Sequence, residues 1–159
     1  MQNLTSNINN DNLSDKVVSI ELSKIIKELL IDLNNSFSDI TSDVIKNYKP
    51  YQCILKIDDF DNIDSDNIKE IELILIHCKN IFPKRFFDIL YQNECIFDDD
   101  NIDTNFLPNI EFKKIYFDTT SNKTKETIWK YLQLILFTII TDIDNKNILK
   151  NNEKLFEAI

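Results

Sequence analysis

Apolar residues recur along most of this chain at steps of three and four, which is the spacing of one face of an α-helix. The first such run predicts an amphipathic helix over 16–34, and it consists of Val18, Leu22, Ile25, Ile26, Leu29, Leu33 and Phe37. A polar stretch without periodicity precedes this run. We therefore expect a flexible polar N-terminal tail over 1–14 and helical order from Ser14 or Asp15.

The next part of the chain alternates helical patterns with one segment of different character. A short helix is predicted over 38–48, ending ahead of Pro50, because proline disfavours helix at the residue before it. Residues 51–57 (YQCILKI) are the best strand candidate, and we expect them to be extended or to begin a small hairpin. After an acidic loop over 58–67, a wide apolar stripe predicts a central helix over 66–80.

Three further elements are predicted in the second half of the chain. Pro83 favours a helix over 82–97, because a proline in the first turn gives up no hydrogen bond. An acidic loop over 98–105 follows, and 109–117 is either a short helix or an extended aromatic segment. The clearest helical pattern covers 122–144. Polar residues interrupt its apolar run, so we expect a buried core helix and no membrane span.

These elements predict an all-α fold. We expect a single compact bundle of about five or six helices over 15–159. One short extended segment near 51–57 is optional in this prediction. A length of 159 residues suits one domain. The last residues, KLFEAI, begin a new amphipathic pattern that stops at Ile159. We expect either that this turn docks on the body or that the domain is truncated at its C-terminal end.

The composition excludes several nucleotide-binding and hydrolase motifs, because the chain contains no glycine. Phosphate-binding loops, dinucleotide-binding turns and nucleophile elbows all need glycine at fixed positions. The 27 isoleucines, 20 asparagines and 17 lysines, against one alanine, indicate an AT-rich genome as part of the cause. Left-handed backbone positions must then be filled by Asn or Asp, and the candidates are Asn80, Asn93, Asn109 and Asn145.

Charge and cysteine content bear on partners and compartment. The net charge of −9 disfavours nucleic acid and anionic lipid surfaces as partners. Three cysteines without a CxxC spacing, and an N-terminus without a secretory pattern, favour an intracellular, reduced setting over secretion.

Few residues are available for catalysis. The only histidine, His77, precedes Cys78 in a predicted helix, where adjacent side chains point about 100° apart and cannot act as base and nucleophile. We predict a structural histidine. Both acidic loops lack the last ligand of a calcium-binding loop. An enzyme with an acidic metal site would need carboxylates from 58–66 and 98–103 to converge. We predict no catalytic residue, no metal and no cofactor.

Lysines and aromatic residues alternate over 112–132, and this strip is the candidate partner-binding site. It could stack nucleic-acid bases or hold an acidic partner. The alternative is a solvated lysine face with the aromatic residues in the core. The candidate residues are Lys113, Lys114, Lys125, Lys130 and Tyr131.

Several stretches together resemble a known protein family: FPKRFFDILYQNECIF (82–97), FLPNIEFKKIYF (106–117) and KTKETIWKYLQLILFTII (123–140), followed by KLFEAI. They are similar to a family of uncharacterised proteins of giant nucleocytoplasmic large DNA viruses of the mimivirus kind. In that family the region like KLFEAI leads into a further helical part, so the resemblance implies truncation. It implies no activity and supplies no catalytic residues.

We therefore expect a viral, non-enzymatic helical module for protein–protein interaction or scaffolding, acting in the host cytoplasm or the virion. Its partner would be another protein or a second copy of the chain. The alternative is a nucleic-acid-associated viral factor that uses the strip at 112–132, which the net charge disfavours.

Overall fold

The computed structural model describes residues 20–119 and 121–158, with side chains described as far as Asp142. This part of the chain forms helices and contains no strand, which confirms the predicted all-α fold. The predicted tail over 1–14 and the start of the first helix lie outside the described residues.

The helices are numbered in chain order. The first, α1, covers 20–36 within the described residues. Two single turns of 3₁₀ helix, Pro83–Arg85 and Glu94–Phe97, lie before and after α5. The other α-helices are α2 (Ser38–Asn47), α3 (Lys49–Leu55), α4 (Ser65–Ile81), α5 (Phe86–Leu90), α6 (Phe112–Asp118) and α7 (Asn122–Ala158).

One cluster of buried apolar side chains takes residues from each of the α-helices α1 to α7. The predicted inward row of α7 belongs to it and is nearly inaccessible to solvent; it consists of Ile128, Leu132, Ile135 and Ile139. This confirms α7 as a core helix. Among the described residues, no helix has the length and apolar character needed to cross a membrane.

The prediction of an extended segment at 51–57 is wrong, because most of these residues belong to α3. Pro50 lies in the first turn of α3, where its missing amide hydrogen costs no hydrogen bond. Tyr48, with φ −102° and ψ 110°, separates α3 from α2. Tyr51 and Ile54 are fully buried on α3, which packs against α4. A short apolar run does not distinguish a buried helix from a strand, which explains the error.

The continuous helix predicted over 82–97 is broken. The α-helical part, α5, ends at Leu90, and Gln92 then takes a left-handed conformation with φ 52°. The chain turns, and the second 3₁₀ turn returns Phe97 to the core at 1% exposure. The apolar spacing continues across this break, so the pattern alone could not reveal it.

The residues after the acidic loop at 98–105 are irregular but buried. Phe106, Leu107 and Ile110 are at most 2% exposed, and a single antiparallel β-bridge joins the latter two. Asn109 lies between them with φ 63°, which confirms one predicted left-handed position. The predicted short helix of this region is α6.

The other three asparagines that were expected to adopt a left-handed conformation do not adopt it. Asn80 and Asn145 lie within helices α4 and α7, and Asn93 has φ −75°. The second left-handed residue among the described ones is Gln92, which the composition did not indicate.

Candidate functional site

The histidine, tyrosine and cysteine side chains that are candidates for reactive chemistry contact the buried loop that leads into α6. His77 Nε2 lies 2.6 Å from the carbonyl oxygen of Asn105, and since a carbonyl only accepts, Nε2 donates. The Tyr51 hydroxyl, which is fully buried, donates to the carbonyl of Pro108. Both contacts supply donors to backbone carbonyls that no helix or strand satisfies.

Cys78 contacts the same loop. Its Sγ lies 3.5 Å from the carbonyl oxygen of Phe106, and burial raises the pKa of the thiol to about 12. The thiolate is the reactive form of cysteine, so this thiol is poorly suited to nucleophilic chemistry near neutral pH. The three cysteines carry free thiols; Cys53 is half-buried and Cys95 is exposed.

The two predicted partner-binding lysines of α6 have different environments. Lys113 is 8% exposed, and its Nζ lies 2.5 Å from the carbonyl oxygen of Ile102, so it holds the loop rather than facing solvent. Lys114 is exposed, and its ammonium lies 3.6 Å from the carboxylate of Glu111. Only Lys114 of this pair is accessible to a partner.

The predicted partner-binding residues of α7 also point in different directions. Lys125 Nζ lies 4.9 Å from the centre of the Tyr116 ring, while the Tyr131 hydroxyl donates to Asp32 of α1. Lys130 is exposed and lies about 140° around the helix from Lys125. The structure therefore brings Lys125 to an aromatic ring but does not gather the predicted residues on one face.

The aromatic residues near this strip belong mainly to the core. The rings of Phe97 and Tyr116 stack with centroids 4.2 Å apart, and Trp129 packs edge-on against both. The Tyr116 hydroxyl accepts from Trp129 Nε1 at 3.4 Å and donates to Glu94. Burial, and then the hydrogen bond to Glu94, raise the pKa of Tyr116 to about 12.

Two aromatic side chains instead face solvent side by side. Phe87 is 69% exposed and Tyr91 is 74% exposed, and their rings lie 7° from parallel with centroids 6.4 Å apart. They border a shallow depression of about 590 Å³. We call this surface the aromatic platform; the residues lining it are Phe87, Asp88, Tyr91, Gln92, Asn93, Glu94 and Cys95.

The backbone beneath the platform is held by local hydrogen bonds. The Tyr91 amide donates to the Phe87 carbonyl at 3.0 Å, and the Asn93 amide donates to the Asp88 carbonyl at 2.8 Å. The Asn93 side chain donates to the Asp88 carboxylate at 3.0 Å, and Arg85 lies 3.4 Å from the same carboxylate. These contacts fix the turn that carries both rings.

A side chain of helix α7 forms hydrogen bonds to the C-terminal end of α5. Gln133 Nε2 donates to the carbonyl oxygens of Ile89 at 3.2 Å and Leu90 at 3.3 Å. These carbonyls lie at the C-terminal end of α5, where the helical hydrogen bonds run out, and that of Ile89 also accepts from the Gln92 amide at 3.2 Å. The platform therefore rests on the core helix rather than on a free loop.

The platform was missed at the sequence level, although a signal for it exists. Phe87 and Tyr91 are four residues apart and lie on the face of α5 opposite Ile89, which is fully buried. The pattern placed Ile89 inward, so the opposite aromatic pair should have been expected on the surface.

The acidic loops use their carboxylates in turns and caps. Asp64 is the N-cap residue that precedes α4, and its carboxylate accepts from the amide of Asn67 at 2.9 Å. Asp99 and Asp103 accept from amides two residues ahead. Within 20–119 and 121–142, no group of three or more His, Cys, Asp or Glu residues is placed to hold a metal ion.

The aromatic platform brings together Phe87 and Tyr91, the two most exposed large apolar side chains of the described residues, and packing in the core does not explain their exposure. Comparison with known proteins adds no assignment to it: no protein-family model, curated protein or solved structure matches this chain. Function is therefore inferred from the surface chemistry of the chain itself.

Proposed function

We propose that this protein is a viral, non-enzymatic interaction module that docks a protein partner on its aromatic platform. The observation that carries the proposal is the exposure of Phe87 and Tyr91, at 69% and 74%, on a turn held by hydrogen bonds. Exposed large aromatic residues on a fixed backbone are typical of the centre of protein–protein interfaces.

The energetics favour a partner that covers both rings. A fully buried aromatic side chain removes 150–250 Å² from water, so covering the exposed part of each ring would contribute about 3 kcal/mol. The turn is already fixed by contacts of Asp88 with Asn93 and Arg85, which lowers the entropy lost on docking. Half-exposed aliphatic residues elsewhere, such as Leu73 and Ile76 on α4, are ordinary for a protein surface.

The environment of the reactive side chains supports a non-enzymatic role. His77 and Cys78 both contact carbonyl groups of the buried loop, and the pKa of Cys78 is raised by burial. Each therefore has a structural contact that accounts for its position, His77 half-buried and Cys78 fully buried. The viral origin, and action in the host cytoplasm or virion, are proposed from the AT-rich composition and the family resemblance.

The proposal is tested with two double variants of matched character. Phe87→Ser with Tyr91→Ser removes the platform, and Leu73→Ser with Ile76→Ser removes two exposed apolar side chains from α4. We expect both variants to keep the helical circular dichroism of the wild type. Proteins captured from infected protist cells should be retained by the wild type and the α4 variant and lost with the platform variant.

A partner that is a second copy gives a different result in the same series. Light scattering against concentration would then show association of the wild type and the α4 variant, and a monomer for the platform variant. Equal capture and equal mass for all three proteins would show that the platform docks nothing and would refute the proposal.

The nucleic-acid alternative stays a prediction with less support. Lys113 is buried against Ile102, and Lys114 and Lys130 are the exposed lysines of the predicted set. Binding to single-stranded DNA at low salt, weakened by Lys114→Gln with Lys130→Gln, would favour this alternative. We expect no such binding.

A further inference from the structure

We infer that the partner segment that docks on the aromatic platform is basic, with arginine side chains that stack on Phe87 and Tyr91. This inference rests on the proposed function and names the chemistry of its partner. Three independent observations support it: the charges that line the platform, the contacts that cations already make in this chain, and the net charge of the molecule.

The platform is lined by carboxylates and by no cationic side chain. Of its lining residues, Asp88 and Glu94 are acidic and none is Lys or Arg. Asp88 already pairs with the nearby Arg85. Glu94 is exposed, and the chain continues through the exposed acidic run 98–100. The charges of Glu94 and Asp98 both contribute to the raised pKa of Tyr116, so both carboxylates lie near its hydroxyl.

The chain itself places two cations against aromatic faces, and one of these rings also contacts a carboxylate. Lys125 Nζ lies 4.9 Å from the centre of the Tyr116 ring, and the hydroxyl of that ring donates to Glu94. Lys27 Nζ lies 5.7 Å from the centre of the Phe60 ring and donates to the carbonyl oxygen of Ile57. Phe87 and Tyr91 offer comparable ring faces next to Glu94, but these rings are exposed. A cation from a partner would complete the same arrangement.

The net charge of −9 discriminates between possible occupants. It opposes the approach of a second copy or of nucleic acid, and it accelerates encounter with a basic segment. A purely apolar segment would cover the rings but would desolvate Glu94 without compensation. Arginine suits the site better than lysine, because its planar guanidinium stacks on rings and pairs with a carboxylate through two hydrogen bonds.

The test uses fluorescein-labelled peptides of equal length in which leucine alternates with arginine, lysine, glutamine or glutamate. Fluorescence anisotropy measures their affinity for the full chain. We expect the arginine peptide to bind at least about threefold more tightly than the lysine peptide, and the glutamate peptide not to bind. Affinity for the arginine peptide should fall about tenfold between low and high salt, because the ionic part of the contact is screened.

Variants locate the binding. Phe87→Ser with Tyr91→Ser should lower the affinity for the arginine peptide by about tenfold or more. Glu94→Gln should lower this affinity by about threefold. Glutamine at position 94 can still accept from Tyr116, so this variant removes charge while retaining that contact. Leu73→Ser with Ile76→Ser on α4 is the matched control and should bind as the wild type does.

A footprint on the native thiols gives a second readout. Cys95 is exposed and lines the platform, whereas the half-buried Cys53 lines another depression beside the acidic loop over 58–67. Saturating arginine peptide should slow the alkylation of Cys95 by iodoacetamide and leave the rate at Cys53 unchanged.

The outcomes separate this inference from the proposed function. If the glutamine peptide binds as tightly as the arginine peptide, and the platform variant loses both, the platform docks segments without regard to charge. The inference is then wrong and the proposed function stands. If the platform and α4 variants bind the arginine peptide equally, with no protection of Cys95, the inference is wrong, and the proposed function is then decided by the capture and light-scattering experiments.

Discussion

Polar side chains in the core of this protein satisfy the backbone of a buried irregular loop. Tyr51, His77 and Lys113 come from three different helices, and each donates to a loop carbonyl. Thr104, within the loop, accepts from the amide of Lys113 at 3.1 Å. A buried loop needs such partners, because an unpaired carbonyl away from water is costly. Residues that look reactive in the sequence therefore serve the fold.

Tyr51 gives the clearest test at this scale. Tyr51→Phe removes the hydroxyl that donates to the Pro108 carbonyl and leaves that buried acceptor without its partner. We expect the free energy of unfolding to fall by about 2 kcal/mol, measured by urea denaturation. Tyr91→Phe, at an exposed ring, is the control and should leave stability unchanged. Equal stability of both variants would mean that the loop does not depend on this bond.

The sequence allowed the structural role of His77 to be predicted, but not its partner. A single histidine beside Cys78 on an apolar helix excluded a local catalytic pair by geometry alone. Its contact with Asn105 joins residues 28 positions apart, and no periodicity carries information about such a pair. The same limit applies to Lys113, whose basic character suggested the surface while its ammonium in fact contacts Ile102.

At the scale of elements, periodicity found the long helices and failed where the backbone departs from the helix without changing the apolar spacing. α4 and α7 have strong stripes and were predicted close to their observed beginnings. The break after α5 depends on Gln92, a residue type with no preference for a left-handed conformation. Because the chain has no glycine to mark such positions, the break could not be read from the sequence.

The left-handed conformation at Gln92 gives a prediction of its own. Gln92→Gly should raise the free energy of unfolding by about 1 kcal/mol, because glycine adopts φ 52° without the clash of a Cβ atom. Asn109→Gly, at φ 63°, should raise it by less, since asparagine tolerates this region better than glutamine does. Thermal unfolding of both variants measures the difference. If Gln92→Gly instead lowers the free energy of unfolding, the glutamine side chain makes a contact that stabilises the fold by more than its left-handed backbone costs.

The described residues 20–119 and 121–142 are organised around one core, and their exposed aromatic pair lies outside that core. The core cluster extends from Leu22 of α1 to Ile139 of α7. From its length and apolar content the sequence predicts a single domain. The spacing of Phe87 and Tyr91 opposite Ile89 could have indicated an exposed pair, but the position of this pair relative to Glu94 depends on the break after α5 and could be recognised only in three dimensions.

A single core predicts a single unfolding transition. Trp129, the only tryptophan, is 3% exposed and reports the region around α7, whereas far-ultraviolet circular dichroism reports all helices. The two signals should coincide through a urea titration if the core unfolds as one unit. Ile54→Ala, on the fully buried side of α3, sharpens the test, because its loss of about 2–4 kcal/mol should shift both signals equally. A shift of the circular dichroism alone would show that α3 unfolds independently of the region around Trp129, and the chain would then contain two cooperative units.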